Sequence, residues 1–317
     1  MATVRLATRG SPLALRQTAI VSALVRRAHP GVKVDHVVLR TRGDRDATSS
    51  LDQIGGQGVF VTEVEAAVTD GRADAAVHSA KDMPSTMPAH LVFGAVPPRA
   101  DARDGLVGCT LAGLPPGGLV ATGSARRRAQ LAYLRPDLVF TEARGNMARR
   151  VALAEQGTVS AVVVAVAAME RLGWRDSLRD VLDPLDMLPQ VGQGAIAVQC
   201  RADDAATRGL LGAIDDARSH NALRAERAVL AALGANCSLP VGAYAEVVSS
   251  SSPALRLRVA GLVASGDGRT VVRMAREGDD PERLGDELAR ALLEGGGAAI
   301  DGFDVGAGGL ATREPAR

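Results

Sequence analysis

"VRLATRGSPLAL", residues 4–15, joins a strand-like run to the start of a helix. Residues 4–8, "VRLAT", form a short, mainly apolar run that predicts a strand. Ser11 and Pro12 then predict a helix start, because a hydroxyl caps free backbone N–H groups and proline fits the first turn. Apolar residues keep roughly helical spacing to about His29. The stretch therefore predicts a strand followed directly by a helix.

The same alternation continues along the chain and then repeats. "VDHVVLR" is a second strand, residues 59–70 a second helix and "ADAAVHS" a third strand. After Pro97 and Pro98 the alternation begins again at "GLVATG", "SARRRAQLAYL", "LVFTEAR", "NMARRVALAEQG" and "AVVVAVA", and "AIAVQCR" is a later strand. This order predicts two α/β units with largely parallel strands. Ligands of such folds bind at the carboxyl ends of strands, so we expect a cleft between the two units.

The last third of the chain has a different pattern. A helix over 219–233 precedes three strand-like runs, and a helix is predicted over 281–294. The "GDGR" between the last two runs is typical of a hairpin turn, which predicts an α+β unit with an antiparallel sheet. We predict domain 1 from residues 1–97 with 195–214, domain 2 from residues 98–194 and domain 3 from residues 215–317.

Composition excludes several classes of function. The formal net charge is +1 and aromatic residues are 2% of the chain, which argues against binding to nucleic acid. The three cysteines have no CxxC spacing and the five histidines include no HExxH, so neither a disulfide framework nor a metal site is predicted. No signal peptide or membrane span is visible. We expect a soluble, reduced, cytoplasmic protein.

Hydroxyl and basic side chains follow four of the predicted strands. Such groups at helix starts make sites for carboxylate or phosphate, although any one arginine could equally be a solvated surface charge. Of the 37 lysines and arginines only Lys33 and Lys81 are lysines, so Lys81 at one of these junctions is notable. The four groups are Arg9 with Ser11; Ser79 with Lys81 and Asp82; Thr122 with Ser124, Arg126 and Arg127; and Arg144 with Arg149 and Arg150.

Asp82 is a carboxylate among these cations. It could form a structural ion pair or cap a helix. Alternatively it stabilises positive charge that forms on a substrate, which requires a carboxylate held in a preorganised site. The glycines of "PQVGQGA" predict a turn or a hinge and do not match a dinucleotide-binding fingerprint.

These motifs resemble those of the hydroxymethylbilane synthase (porphobilinogen deaminase) family. "ATRGSPLAL", "GGQGVF", "AVHSAKDMP", "RGNMARR", "PQVGQGAIAVQC" and "CSLPVGAYAE" occur in the family's order, over roughly residues 4–295. The resemblance implies an α/β fold of two domains like type II periplasmic binding proteins, plus a smaller α+β C-terminal domain. It implies a monomeric transferase of tetrapyrrole (haem) biosynthesis. Such an enzyme joins four porphobilinogen molecules head to tail with loss of ammonia, and then hydrolyses off the linear product hydroxymethylbilane.

The resemblance also implies a cofactor and roles for individual residues. The cofactor is a dipyrromethane held by a covalent thioether at Cys237, while Cys109 and Cys200 are expected to be buried. Asp82 is the catalytic carboxylate that stabilises cationic intermediates. The residues implied to bind the cofactor are Ser79, Lys81, Thr122, Ser124, Arg126, Arg127, Arg144 and Gln193. Those implied to bind substrate are Arg9, Ser11, Arg149 and Arg171. No metal, nucleic acid or membrane partner is implied.

Three positions depart from the family's usual pattern. Gln57 stands where many members have lysine, Gly123 replaces a frequent serine, and Ala235 lies in "GANC" where "GGC" is common. We interpret these as variation, because Asp82 and Cys237 are present.

Two other functions are compatible with parts of the sequence. A cytoplasmic binding protein for a polycarboxylate ligand would also use two α/β lobes with cationic strand ends, but it would give Cys237 no purpose. The effector domain of a transcriptional regulator is a weaker alternative, since no DNA-binding segment precedes residue 4.

Overall fold

The computed structural model describes residues 3–41, 61–234, 239–249 and 255–303. The strands of this part of the chain are β1 Thr3–Arg9, β2 Lys33–Leu39, β3 Ala75–Ser79, β4 Leu91–Ala95, β5 Asp104–Gly108, β6 Leu119–Ala121, β7 Val139–Thr141, β8 Ala161–Ala165, β9 Leu178–Val181, β10 Ile196–Arg201, β11 Val241–Ser249, β12 Arg256–Ala264 and β13 Val271–Gly278. Its α-helices are α1 Pro12–Ala28, α2 Thr62–Thr69, α3 Ala125–Leu134, α4 Met147–Glu155, α5 Val166–Leu172, α6 Ala205–Gly212, α7 Ala217–Ala232 and α8 Pro281–Glu294.

The first sheet has five strands in the order β2-β1-β3-β10-β4. β1 pairs in parallel with β2 and β3, as predicted, whereas β10 runs antiparallel to both β3 and β4. Both faces of this sheet are covered. Leu6 packs in one apolar cluster with Val21 of α1, and its neighbour Ala7 packs in another with Val64 of α2. Successive strand residues point to opposite faces, so a strand that is covered on both sides has a nearly continuous run of apolar residues in its sequence.

The second sheet repeats this architecture with the order β7-β6-β8-β5-β9. β6 is parallel to β7 and β8, and β5 is antiparallel to β8 and β9. Val163 packs with Leu131 of α3 on one face, and Val162 packs with Val151 of α4 on the other. The core is therefore built from aliphatic side chains, as the shortage of aromatic residues requires.

The chain passes between the two sheets twice, once from β4 to β5 and once from β9 to β10. The two crossovers touch, because the Ala100 N–H donates to the Gly194 carbonyl at 3.1 Å. Gly194 has a φ of +85°, and a Cβ there would lie 2.5 Å from the Ala100 carbonyl oxygen. The glycine of the "PQVGQGA" motif thus permits the close contact between crossovers. The domain limits at residues 97, 194 and 214 stay a prediction.

The third unit is an antiparallel sheet in the order β11-β12-β13, covered by α7 and α8. α8 has the predicted bounds. The predicted hairpin turn is confirmed, with Gly268 at a φ of +74° between β12 and β13. The α/β class with a smaller α+β unit is therefore confirmed. No helix in the described ranges is long and apolar enough to cross a membrane.

Candidate functional site

A pocket lies where β1 and β3 end, at the same edge of the first sheet. Arg9, Ser11, Ser79 and Asp82 all line it. Ser11 also caps α1, since its side chain accepts a hydrogen bond from the Ala14 N–H at 3.3 Å. Two parallel strands that end together thus bring four of the predicted site residues to one place.

Gln17 belongs to this pocket and was missed in the sequence. Its side chain is 2% exposed, and its amide contacts Ser79 Oγ through Nε2 at 2.9 Å and through Oε1 at 3.0 Å. It lies on the face of α1 that also buries Val21 and Val25. The available signal was the spacing, because Gln17 lies four residues before Val21 and therefore on the buried face of the helix. A buried amide there requires hydrogen-bond partners.

Lys81 and Asp82 lie in a short 3-10 turn, Ala80–Asp82, directly after β3. Lys81 Nζ lies 3.4 Å from Gln193 Oε1. Burial lowers the pKa of Lys81 to about 8, with a further lowering by Arg127 that Asp82 partly offsets. The turn therefore places a carboxylate beside an ammonium that has lost much of its hydration.

Arg126 and Arg127 point inward from the first turn of α3, with exposures of 3% and 8%. Arg126 Nη2 donates to Asp104 Oδ2 at 2.7 Å and its Nη1 to the Leu188 carbonyl at 2.6 Å. Arg127 donates to Asp104 Oδ1 from Nε at 3.0 Å and from Nη2 at 2.7 Å. Both predicted cofactor arginines thus share Asp104, a buried carboxylate that the sequence analysis did not select.

Arg126 keeps one unused donor. Within the described residues its Nε is the buried side-chain nitrogen or oxygen that lacks a hydrogen-bond partner. A buried donor without a partner is energetically unfavourable, so a hydrogen-bond acceptor from a ligand that reached this nitrogen would be stabilising.

Gln193 lies in the second crossover, and Arg171 contacts that crossover from α5. Gln193 is fully buried, and its Nε2 donates to the Ala102 carbonyl at 2.7 Å and to Asp104 Oδ1 at 2.9 Å. Arg171 Nη2 donates to the Gly194 carbonyl at 2.7 Å, and burial lowers the pKa of Arg171 to about 10. The structure therefore places Gln193 in the arginine cluster and Arg171 at the crossover beside it.

Thr122 and Ser124 form the junction between β6 and α3. Ser124 caps the helix by accepting from the Arg127 N–H, and Thr122 Oγ1 accepts from the Ser124 N–H at 3.2 Å. Gly123 lies between them, and a Cβ there would be 3.3 Å from Glu142 Oε2. The hydroxyls thus organise the helix start from which the two arginines project.

Arg144 and Arg149 are exposed at the junction between β7 and α4. Arg144 pairs with Glu142 at 3.6 Å, and the Arg149 N–H donates to Asn146 Oδ1 at 3.0 Å as part of the helix cap. The neighbouring Arg150 is partly buried, and burial lowers its pKa while Asp82 raises it. Asp82 and Arg150 therefore interact electrostatically, although they follow different strands in the sequence.

Cations outnumber carboxylates around this cluster. Among the described residues its anions are Asp82, Asp104 and Glu142, and its cations are Lys81, Arg126, Arg127 and Arg150. The described residues hold no group of histidine, cysteine and acidic side chains suited to a metal ion. Donor-rich surroundings with excess positive charge suit a ligand that carries carboxylates.

The described residues include two of the three cysteines, and both were expected to be buried. Cys200 is buried in β10, and burial raises the pKa of its thiol to about 11. Cys109 is only partly buried, so the expectation is wrong at that position. Cys237, Gln57 and Ala235 lie outside the described residues.

Two family models match the chain. Residues 4–209 match "Porphobilinogen deaminase, dipyromethane cofactor binding domain", and residues 221–294 match "Porphobilinogen deaminase, C-terminal domain". Among solved structures, the periplasmic aliphatic sulphonate binding protein SsuA from Escherichia coli is similar with a TM-score of 0.39 and 18% identity, over 73% of this chain and 70% of that chain.

Curated relatives are similar over nearly the whole length. A porphobilinogen deaminase of Syntrophobacter fumaroxidans is 39% identical over 94% of this chain and 96% of its own. One of a Roseiflexus species is 43% identical over 94% of this chain and 98% of its own. A porphobilinogen deaminase of Roseiflexus castenholzii is 43% identical over 92% of this chain and 96% of its own. With both family models matched and the cationic cluster in place, the chain belongs to the porphobilinogen deaminase family.

Proposed function

We propose that the chain is a porphobilinogen deaminase that joins four porphobilinogen molecules head to tail, with loss of ammonia, and releases hydroxymethylbilane by hydrolysis. The observation that carries this proposal is the excess of cationic donors around Asp82 and Asp104. Family membership favours this enzyme over a polycarboxylate-binding protein. We further propose that it acts as a monomer in the cytoplasm.

The residues of the site fit a dipyrromethane group. Each pyrrole ring of such a group carries carboxylate side chains, and the cluster offers more cations than its own carboxylates neutralise. The unpaired Nε of Arg126 is a buried donor without an acceptor of its own. When bound, the group supplies a primer with a pyrrole carbon that attacks the next porphobilinogen. We propose Cys237 as its covalent anchor, with Ser79, Lys81, Thr122, Ser124, Arg126, Arg127, Arg144 and Gln193 as its contacts.

Asp82 is proposed as the catalytic carboxylate. Positive charge develops on porphobilinogen as its amino group leaves as ammonia, and a fixed anion nearby stabilises that charge. Asp82 is held in a turn that follows a central strand, so little reorganisation is needed when the charge appears. Its proposed role is to stabilise that charge and to accept hydrogen bonds from pyrrole N–H groups.

The cations are proposed to bind and orient. Arg9, Ser11, Arg149 and Arg171 are the proposed contacts for the carboxylates of incoming substrate. Arg9 and Ser11 line the pocket with Asp82, which supports placing the reacting substrate there. Guanidinium groups suit this task because they stay charged and bind carboxylates through paired hydrogen bonds.

A direct test is to incubate purified protein with porphobilinogen and to measure ammonia release together with formation of the linear product. We expect stoichiometric release of one ammonia per porphobilinogen consumed. An acid reaction of the purified protein with a pyrrole-reactive aldehyde should also give colour from a bound dipyrrole. A protein that binds porphobilinogen but releases no ammonia would support the binding-protein alternative.

A further inference from the structure

Asp104 is the carboxylate at the centre of the cationic cluster. It is the first residue of β5, is fully buried, and accepts hydrogen bonds from Arg126, Arg127 and Gln193 at 2.7 to 3.0 Å. Its backbone is held on both sides, by pairing with Ala165 in the sheet and by the Leu182 N–H at 2.8 Å. The carboxylate therefore sits on a rigid element and has little freedom to turn.

The charge of this group is secured by its neighbours. Burial alone would raise the pKa of Asp104, but the opposite charges of Arg126 and Arg127 outweigh it and hold the pKa far below its usual range. Asp104 is thus ionised at neutral pH. Two guanidinium groups on consecutive residues repel each other in a buried site, and a shared anion between them offsets that repulsion.

Asp104 also sets the orientation of Gln193. The amide nitrogen of Gln193 donates to Asp104 and to the Ala102 carbonyl, which leaves its oxygen directed toward Lys81 Nζ at 3.4 Å. Without the carboxylate, the Gln193 amide nitrogen would keep only the Ala102 carbonyl of these two acceptors. Asp104 therefore links residues of both sheets, because Lys81 follows β3 and the arginines begin α3.

We propose that Asp104 is a positioning residue for cofactor assembly, which holds the guanidiniums of Arg126 and Arg127 and the amide of Gln193 in the arrangement that receives the dipyrromethane carboxylates. This inference rests on the proposed function. Asp104 accepts hydrogen bonds from both arginines, and this fixes the orientation of their guanidinium groups. A purely structural ion cluster would instead leave assembly unaffected in any variant that folds.

The experiment follows cofactor loading by mass. The full-length chain is produced in cells that make no porphobilinogen, incubated with porphobilinogen, and sampled over time by intact-protein mass spectrometry. Loading adds two porphobilinogen units less two molecules of ammonia. The variants are Asp104→Asn, which removes the charge, and Asp104→Glu, which keeps the charge but displaces it by one methylene. Loading is measured at a temperature well below each variant's thermal unfolding midpoint.

Asp74→Asn is the matched control. Asp74 is also a carboxylate that binds an arginine, but that arginine is Arg5, and Asp74 precedes β3 whereas the cluster lies beyond the end of that strand. We expect Asp104→Asn to load about tenfold or more slowly than wild type, the size of effect when a charge-assisted hydrogen bond is lost. It should also require a higher porphobilinogen concentration for half-maximal rate. Asp104→Glu should load at a rate between those of Asp104→Asn and wild type, and Asp74→Asn should load at the wild-type rate.

Loading of a folded Asp104→Asn chain at the wild-type rate would overturn the inference. So would equal slowing of Asp104→Asn and Asp74→Asn, since that would show a general effect of losing a carboxylate that pairs with an arginine. If Asp104→Asn does not fold, Asp104→Glu decides, because slow loading supports the positioning role and wild-type loading refutes it. A wild-type chain that gains no mass would overturn the proposed function itself.

Discussion

Glu226 of α7 binds Arg99 of the first crossover through two hydrogen bonds of 2.5 and 3.2 Å. The same carboxylate accepts the Gly192 N–H of the second crossover at 2.7 Å and the Ala245 N–H of β11 at 2.8 Å. One fully buried side chain of the third unit thus joins both connections between the two α/β sheets.

Glu226→Gln should lower the free energy of unfolding by about 3 kcal/mol or more, because it leaves Arg99 buried without its counter-ion. Urea denaturation measures this loss. The control is Glu282→Gln, which breaks the exposed pair with Arg224 and should change stability by less than about 1 kcal/mol. Equal effects of the two substitutions would contradict the role of Glu226 as a buried junction.

Asp82→Asn should reduce turnover by about 10²- to 10³-fold while the fold is retained, because a neutral amide stabilises developing positive charge poorly. Steady-state kinetics on fully loaded protein measures the change. Asp101→Asn is the control, since Asp101 pairs with Arg103 outside the pocket. Near-normal turnover of Asp82→Asn with the cofactor present would remove Asp82 from its proposed role.

Arg126→Gln should impair cofactor loading and stability together, because Asp104 loses one of its two charged partners. The adjacent Arg128 is exposed on the same helix, so Arg128→Gln is a matched control that should load normally. Loading is measured by intact mass and stability by thermal unfolding.

Gln57→Ala should impair cofactor loading far less than Arg126→Gln. A comparable loss of loading would show that glutamine at position 57, where many family members have lysine, is not neutral variation.

The pH dependence of loading should report Lys81. Its pKa is about 8, so the ammonium loses its charge, and its attraction for carboxylates, as pH rises through about 8. Loading should fall across that range in wild type and much less in Lys81→Arg, which stays charged. Between about pH 8 and the ordinary lysine pKa of 10.5, Lys81 is protonated in the unfolded chain and largely neutral in the folded one. The contribution of Lys81 to the free energy of unfolding therefore increases with pH over this range. A wild-type profile without the fall would contradict the assignment.

Local signals in the sequence predicted much of the fold. Ser11 and Ser124 are found as helix caps, and the last helix runs over the predicted Pro281–Glu294. These elements depend on capping and periodicity, which adjacent residues determine. The short strands β4, β5 and β9 were missed, because glycine, aspartate and nearby proline weaken their strand pattern. Their places depend on pairing with strands distant in the chain.

The site was predicted in its residue types and less well in its partners. The three consecutive arginines of α3 look alike in sequence, yet Arg126 and Arg127 are buried while Arg128 is exposed. Which face turns inward depends on Asp104 and the Leu188 carbonyl, which approach from other parts of the chain. Gln17 was missed for the same reason, since its partner Ser79 lies on another strand.

The central claim is that Cys237 anchors a dipyrrole which the cationic cluster holds. A thiolate is a far better nucleophile than a serine hydroxyl, so Cys237→Ser should not be loaded. Intact-protein and peptide mass spectrometry of wild type and Cys237→Ser tests this most directly. We expect wild type to be heavier by two pyrrole units, with the adduct on the Cys237 peptide and with Cys109 and Cys200 bare, and Cys237→Ser to have the unmodified mass and little or no activity. An active Cys237→Ser protein, or an adduct on Cys109 or Cys200, would contradict the account.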